Sequence, residues 1–254
     1  MYRYLSGIML LVLIFMSPLV YSDTLKVGVA TNYPPVIFKH DGKIVGIEAD
    51  LAQAVGKETG MDIKFEEIPW ESLEKALNDG KIDVVMSGVS ITQARQQRVD
   101  FTKPYMVIGQ MVMIKADNIM THSSKLSMYK AGRRFGVENN TTGQQYVNVT
   151  FHSAEIKSYP TIEEGVAALK AGEIDYFVHD APTVWKYTVL PRTQDRELFG
   201  LYEYMTEEPL AWAVKKGNTQ LRDKLNKALD KMQQQGLVQR ITNKWLPLRI
   251  EVGK

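Results

Sequence analysis

The residues that could do chemistry sit in three short stretches, each just past a predicted strand. Residues 82–86 form an unbroken apolar run, and Ser87, Gly88, Ser90, Thr92 and Arg95 follow within nine positions. Asn140-Thr141-Thr142-Gly143 follows a strand predicted over 135–137, and His179-Asp180 follows one over 176–178. In open α/β sheets, ligands bind at the carboxyl ends of the strands. A helix start presents free N–H groups and a positive dipole end, both suited to a carboxylate. Taken alone, the Ser87 to Arg95 stretch is equally a capped helix start with a solvated arginine.

Other chemistries are missing. The 254-residue chain has no cysteine, which excludes disulfides, thiolate metal sites, thiol catalysis and lipid attachment through an N-terminal cysteine. It has no G-x-S-x-G elbow, no glycine-rich phosphate loop and no H-E-x-x-H helix. His40, His122, His152 and His179 are scattered, without metal-ligand spacing. No metal and no cofactor are expected. A net charge of +2 argues against nucleic acid as a partner, since a binder should carry a basic stripe.

The elements that must position these residues alternate between strand and helix. Residues 25–29 read as a strand, and Asp41-Gly42 as the turn of a hairpin between 36–38 and 43–45. Asp50 can cap a helix that Gly60 stops, and 71–79 is a helix ended by Gly80. The apolar run 82–86 suits a central parallel strand buried on both faces. Ala76-Leu77-Asn78-Asp79-Gly80-Lys81-Ile82-Asp83 recurs as Ala168-Leu169-Lys170-Ala171-Gly172-Glu173-Ile174-Asp175, sharing Ala, Leu, Gly, Ile and Asp. Val27-Gly28-Val29 likewise echoes Phe135-Gly136-Val137, in the same order, which predicts two α/β lobes of like topology. Two amphipathic helices close the chain, one capped by Asn218 and one carrying Leu237, Ile241 and Trp245. Residues 1–22 carry one Arg, an apolar stretch over 8–16 and small residues before Asp23, the pattern of a secretory signal. Export with cleavage there would leave a net charge of +1.

The sequence resembles the bacterial extracellular solute-binding proteins of polar amino-acid ABC transporters. Gly46-Ile47-Glu48-Ala49-Asp50-Leu51-Ala52 is similar to the family's G-F-D-x-D-L-A, with Ile and Glu replacing Phe and Asp. Trp70-Glu71-Ser72-Leu73 matches its W-x-x-L step, and residues 86–92 with Arg95 and 100–105 resemble its most specific signature. The resemblance implies a two-lobe periplasmic-binding-protein (type II) fold, each lobe a mixed sheet flanked by helices, joined by two hinge strands. Residues 23–107 and 208–254 would form lobe I and residues 108–207 lobe II, with hinges near 107–109 and 207–209. Arg95 falls on the carboxylate-binding arginine and Asp180 on the ammonium-binding aspartate. A guanidinium forks onto a carboxylate, and a desolvated aspartate needs a cation. Gly88 and Ser90 fall on positions that bond the ligand's main chain, and Thr142 on one whose backbone N–H meets the carboxylate. Tyr33 and Trp70 fall on the pocket's apolar walls. The expected site is therefore Tyr33, Trp70, Ser87, Gly88, Ser90, Arg95, Glu138, Thr141, Thr142, His179 and Asp180.

Ligand identity stays open. Many members that hold a polar or cationic side chain have an aspartate where this chain has Ala30, while Glu138 replaces a lysine of glutamine-binding members. His179-Asp180-Ala181-Pro182 is similar to the H-D-x-P of those same members. Together these point to a neutral amino acid, with a cationic one recoverable through Glu138. The implied role is a monomeric, non-enzymatic periplasmic protein that delivers its ligand to an ABC transporter permease. Two alternatives share the scaffold: a cyclohexadienyl dehydratase, which would use Glu207 or Glu208 as its acid, and a ligand-sensing protein. Glu207 and Glu208 otherwise read as exposed charges at a strand end.

Overall fold

The computed structural model describes residues 23–189, 197–201 and 203–246. The expected export signal, 1–22, lies outside the described residues. Two five-stranded mixed sheets dominate. In the first, the strand order is Asp62–Glu67, Thr24–Val29, Val84–Val85, Ala213–Lys215, Val99–Phe101. In the second it is Glu155–Tyr159, Arg134–Glu138, Tyr176–Asp180, Gln110–Lys115, Leu198–Leu201. Each sheet has three parallel strands, then an antiparallel strand at the fourth place. Two short strands, Met106–Ile108 and Glu208–Leu210, pair antiparallel where the chain passes between the sheets.

The repeated sequence does the same work in both lobes. Gly80 and Gly172 end their helices at φ 73° and 74°, a left-handed conformation that costs other residues. Their neighbours Lys81 and Glu173 donate N–H to Ala76 and Ala168 carbonyls, closing the same terminal turn. Ile82 and Ile174 then lie over Gly28 and Gly136. A Cβ at Gly28 would sit 2.2 Å from Ile82 Cδ1, and one at Gly136 2.3 Å from Ile174 Cδ1. Asp83 and Asp175 side chains accept from the backbone N–H of Lys26 and Arg134. The shared Ala, Gly, Ile and Asp thus lock a helix end onto Thr24–Val29 in one sheet and Arg134–Glu138 in the other.

Several expectations shift in detail. The helix assigned to an Asp50 cap spans Ile47–Thr59, with Gly46 at its N-cap position at φ 123°. Asp50 instead accepts from Lys244 Nζ and Trp245 Nε1, tying down the C-terminal helix Leu237–Trp245. Within 82–86 only Val84–Val85 pairs as strand, although Ile82 and Met86 are buried. Tyr176–Asp180 runs two residues further than expected, so His179 and Asp180 end the strand rather than follow it. The Asp41-Gly42 hairpin and the Asn218 cap, which accepts from Leu221 N–H, form as read. The hairpin turn has positive φ at both residues, 48° and 73°, which matches the twist of the flanking strands.

If the glycine–isoleucine contact fixes the helix against the sheet, Gly28→Ala should destabilise lobe I by about 1–3 kcal/mol. Adding Ile82→Val, which removes the clashing Cδ1, should return much of that loss in a double-mutant cycle read by urea unfolding. Additive effects would show that the contact is not what excludes a side chain at Gly28.

Candidate functional site

The carboxyl ends of the two sheets face one another across a cleft. Tyr33, Trp70, Ser87, Gly88, Ser90, Arg95, Glu138, Thr141, Thr142, His179 and Asp180 all line one cavity there, joined by Ala30, Asn32 and Ile162. It encloses about 420 Å³, open solvent at its mouth included.

Arg95 stands at one pole. It lies in the short helix Gln93–Gln96, which Thr92 caps by accepting the Arg95 N–H. Its guanidinium stacks 5.4 Å from the Trp70 ring centroid, a cation–π contact that holds the fork in place. Nη1 donates to the Ser90 carbonyl and Nη2 to the Asn140 carbonyl on the opposite lobe. Burial holds its pKa below the ordinary arginine value, against the pull of Asp180 and Glu208. Near it begins the helix Thr142–Thr150, whose cap Thr141 accepts from Gln144 N–H and donates to the Glu138 carbonyl.

Carboxylates form the other pole. Asp180, 9% exposed, accepts from Tyr33 Oη across the cleft and from Gln110 Nε2. Burial raises its pKa and Glu208 adds to that, while His179, Tyr33 and Gln110 pull it down. Glu138 accepts from His179 Nε2 at 3.0 Å, both side chains buried. His179 Nδ1 accepts the Asp180 N–H at 2.8 Å, which leaves Nε2 as the proton-bearing nitrogen. Burial opposes charge on His179, but the Glu138 bond and the charges of Asp180, Glu138 and Glu208 outweigh it and raise its pKa.

Three further buried residues adjoin the site: Gln110 and Glu48, which sequence reasoning did not place here, and Glu208, which it offered only as the acid of an alternative enzyme. Gln110, 1% exposed, sends its Nε2 toward Asp180, Thr142 and Glu208, crossing from hinge to cleft. Glu208 is 8% exposed, which corrects the reading of an exposed strand-end charge; Glu207 beside it is exposed as expected. Glu208 accepts from Ser90 Oγ at 2.7 Å, Thr206 Oγ1 at 2.7 Å and Gln110 Nε2 at 3.1 Å. Glu48, fully buried, accepts from Gly88 N–H, Tyr105 Oη and Trp212 Nε1. Its carboxyl is pushed up to about 7 by burial, with those three donors opposing. The signal for Glu48 was its place in the family-like 46–52 segment. Gln110 and Glu208 flank the chain crossings, a place composition does not reveal.

These engagements also refine the roles of the expected residues. Gly88 spends its N–H on Glu48 and Ser90 its hydroxyl proton on Glu208, so Ser90 meets a ligand as an acceptor. Ser87 Oγ accepts from the Ala30 N–H, fixing the loop against the first strand. Among the described residues, no group of three His, Cys, Asp or Glu could hold a metal ion, and no helix is long and apolar enough to cross a membrane. The arrangement suits a small molecule with an anionic and a cationic end.

Residues 25–248 match the family model of the bacterial extracellular solute-binding proteins, family 3. The chain is 31% identical over 237 residues to ABC transporter arginine-binding protein 1 of Escherichia coli K12, covering 89% of this chain and 92% of that one. It superposes on an ancestral arginine-binding protein bound to glutamine with TM-score 0.81 and 33% identity, over 89% and 98% of the two chains. It also matches an ancestral amino acid-binding protein described as a precursor of cyclohexadienyl dehydratase, at TM-score 0.80 and 32% identity over 87% and 95%.

The buried Glu48 gives stability a pH dependence. Its folded pKa of about 7 lies above the ordinary 4.5, so the stability it confers is fully present below pH 4.5 and lost as pH rises through 7. The loss should reach about 3 kcal/mol. Unfolding free energies from pH 5 to 8 should therefore fall more steeply for the wild type than for Glu48→Gln. Parallel curves would show that Glu48 does not take up a proton in that range.

Proposed function

The chain belongs to the bacterial extracellular solute-binding proteins, family 3, and from that premise we propose that its cleft captures a cationic α-amino acid for an ABC permease. The observation that carries the charge of the ligand is the excess of carboxylates. Glu138, Asp180 and Glu208 are all buried around the cleft and face a single arginine. Buried charge needs compensation. A zwitterion brings none in net, whereas an amino acid with a cationic side chain brings one positive charge. That balance favours a cationic ligand over the neutral one expected from Ala30. The arginine- and histidine-binding names among the relatives, and a lysine complex among the similar structures, are consistent with it.

In this reading Arg95 forks onto the ligand carboxylate, aided by the first N–H groups of the helix Thr142–Thr150. Asp180 takes the α-ammonium, exchanging its bond from Tyr33 or sharing it. The Glu138–His179 pair lies where a side-chain cation would end. Trp70 and Tyr33 supply the walls. Ligand that touches both lobes selects the closed arrangement. We take the lobes to be 23–107 with 208–254, and 108–207, with residues 1–22 removed on export and the mature monomer working in the periplasm.

The protein is a binder and does no chemistry. A dehydratase needs an acid with a proton to give to the departing hydroxyl. Glu208 accepts three hydrogen bonds and so offers acceptors, while Glu207 points outward to solvent.

Calorimetry against L-arginine, L-lysine, L-histidine, L-glutamine and L-glutamate tests the assignment. A cationic member should bind tightest, and Arg95→Lys and Asp180→Asn should each cost about 2–5 kcal/mol of that affinity. A neutral amino acid binding tightest would remove the cationic assignment. Unchanged affinity in both variants would remove the α-amino-acid reading itself.

A further inference from the structure

Glu48 lies behind the binding loop, outside the cavity, and joins three segments through its one side chain, beside the backbone bonds that Leu210 makes to the same loop and crossing. Its Oε1 accepts from the Gly88 N–H at 2.9 Å and from Tyr105 Oη at 2.7 Å, and its Oε2 from Trp212 Nε1 at 2.9 Å. Gly88 is the centre of the loop that presents Ser87, Ser90 and the start of the Arg95 helix. Tyr105 immediately precedes the outgoing strand Met106–Ile108, and Trp212 lies two residues past the returning strand Glu208–Leu210. Tyr105 and Trp212 stack with ring centroids 5.9 Å apart, so the two crossings are held together on the same carboxylate. The three residues of this cluster other than the loop's glycine are buried, with Trp212 and Glu48 at 0%.

Gly88 needs this support. Its φ of 68° is left-handed, and a Cβ there would lie 2.5 Å from Tyr33 Cε1. The loop therefore approaches the Tyr33 ring as closely as a bare backbone can, and an outside anchor must hold it there. A buried carboxylate that accepts hydrogen bonds from three donors is a strong and directional anchor.

We propose that Glu48 is a positioning residue that sets the binding loop 87–90 and couples its position to the roots of both hinge strands. It touches no ligand. The proposal rests on the cleft being the binding site, but the loop's geometry can be read without any ligand. Loss of a hydrogen bond between a backbone N–H and a buried carboxylate leaves a donor unpaired, so the anchor is lost rather than weakened.

The test is amide exchange by NMR on ligand-free protein, with L-arginine affinity measured alongside. In Glu48→Leu, which keeps the bulk and removes both acceptor oxygens, the Gly88 amide should exchange at least about tenfold faster and L-arginine should bind about tenfold more weakly, the fold-changes expected from one charge-assisted bond. Tyr105→Phe removes a hinge donor and leaves the Gly88 bond, so the Gly88 amide should stay protected while affinity falls less. If Glu48→Leu does not fold, Glu48→Asp, which draws the carboxylate back by one methylene, should show the same pattern. Gly88 exchange unchanged in a folded Glu48 variant would overturn the proposal. Failure of the wild type to bind L-arginine, with Gly88 exchange still accelerated in the variant, would count against the cationic reading alone and support the positioning role.

Discussion

Uncompensated charge in the cleft is the constraint from which the rest follows. Arg95 is held between a tryptophan face and two carbonyls, with hydrogen bonds but no carboxylate bonded to it among the described residues. Opposite, Asp180 and Glu208 are buried with neutral donors around them. A protein that only had to fold would not separate these charges. Burying an ion is expensive, and pairing it directly is the cheapest remedy. Here the pairing is left to a ligand, and the fold is organised to keep the two poles apart yet facing.

That separation explains the two-lobe plan. Arg95 hangs from lobe I and Asp180 ends a strand of lobe II, so no motion within one lobe can bring them together. The bonds from Tyr33 to Asp180 and from Arg95 to the Asn140 carbonyl cross the cleft instead. They are contacts a ligand can replace one for one. The hinge is built of two strands with a carboxylate at each side, Glu208 toward the cleft and Glu48 behind the loop, both accepting from several segments. The protein thus spends buried acid twice: at the ligand poles for recognition, and at the crossings for geometry.

Much of this was legible in the sequence, for identifiable reasons. The repeat from Ala76 to Asp83 and again from Ala168 to Asp175 reports a local device, a helix end locked on a strand, and local devices leave contiguous traces. Site residues from Ser87 to Arg95 and at 141–142 follow strands and those at 179–180 end one, so their convergence is a property of the topology. Gln110 and Glu48 were not recovered, and Glu208 was read as exposed or as an enzyme's acid, because their roles depend on three segments meeting, separated by as many as 164 positions for Glu48 and Trp212. Asp50 misled for the opposite reason. It has the composition of a cap, but a contact with Lys244 and Trp245, far along the chain, claims its side chain. The residue at Ala30 points to a neutral ligand and the carboxylates to a cationic one, because one missing anchor is visible locally, whereas a carboxylate excess summed over both lobes is not.

The central claim is that the two poles read the two ends of one amino acid. Calorimetry with L-arginine against agmatine, which lacks the carboxylate, and against the analogue with hydroxyl in place of the α-ammonium addresses it directly. The account expects each analogue to bind at least about a hundredfold more weakly, because each leaves one buried pole unpaired. Agmatine binding as tightly as L-arginine would mean that Arg95 does not hold a carboxylate, and the account would fall.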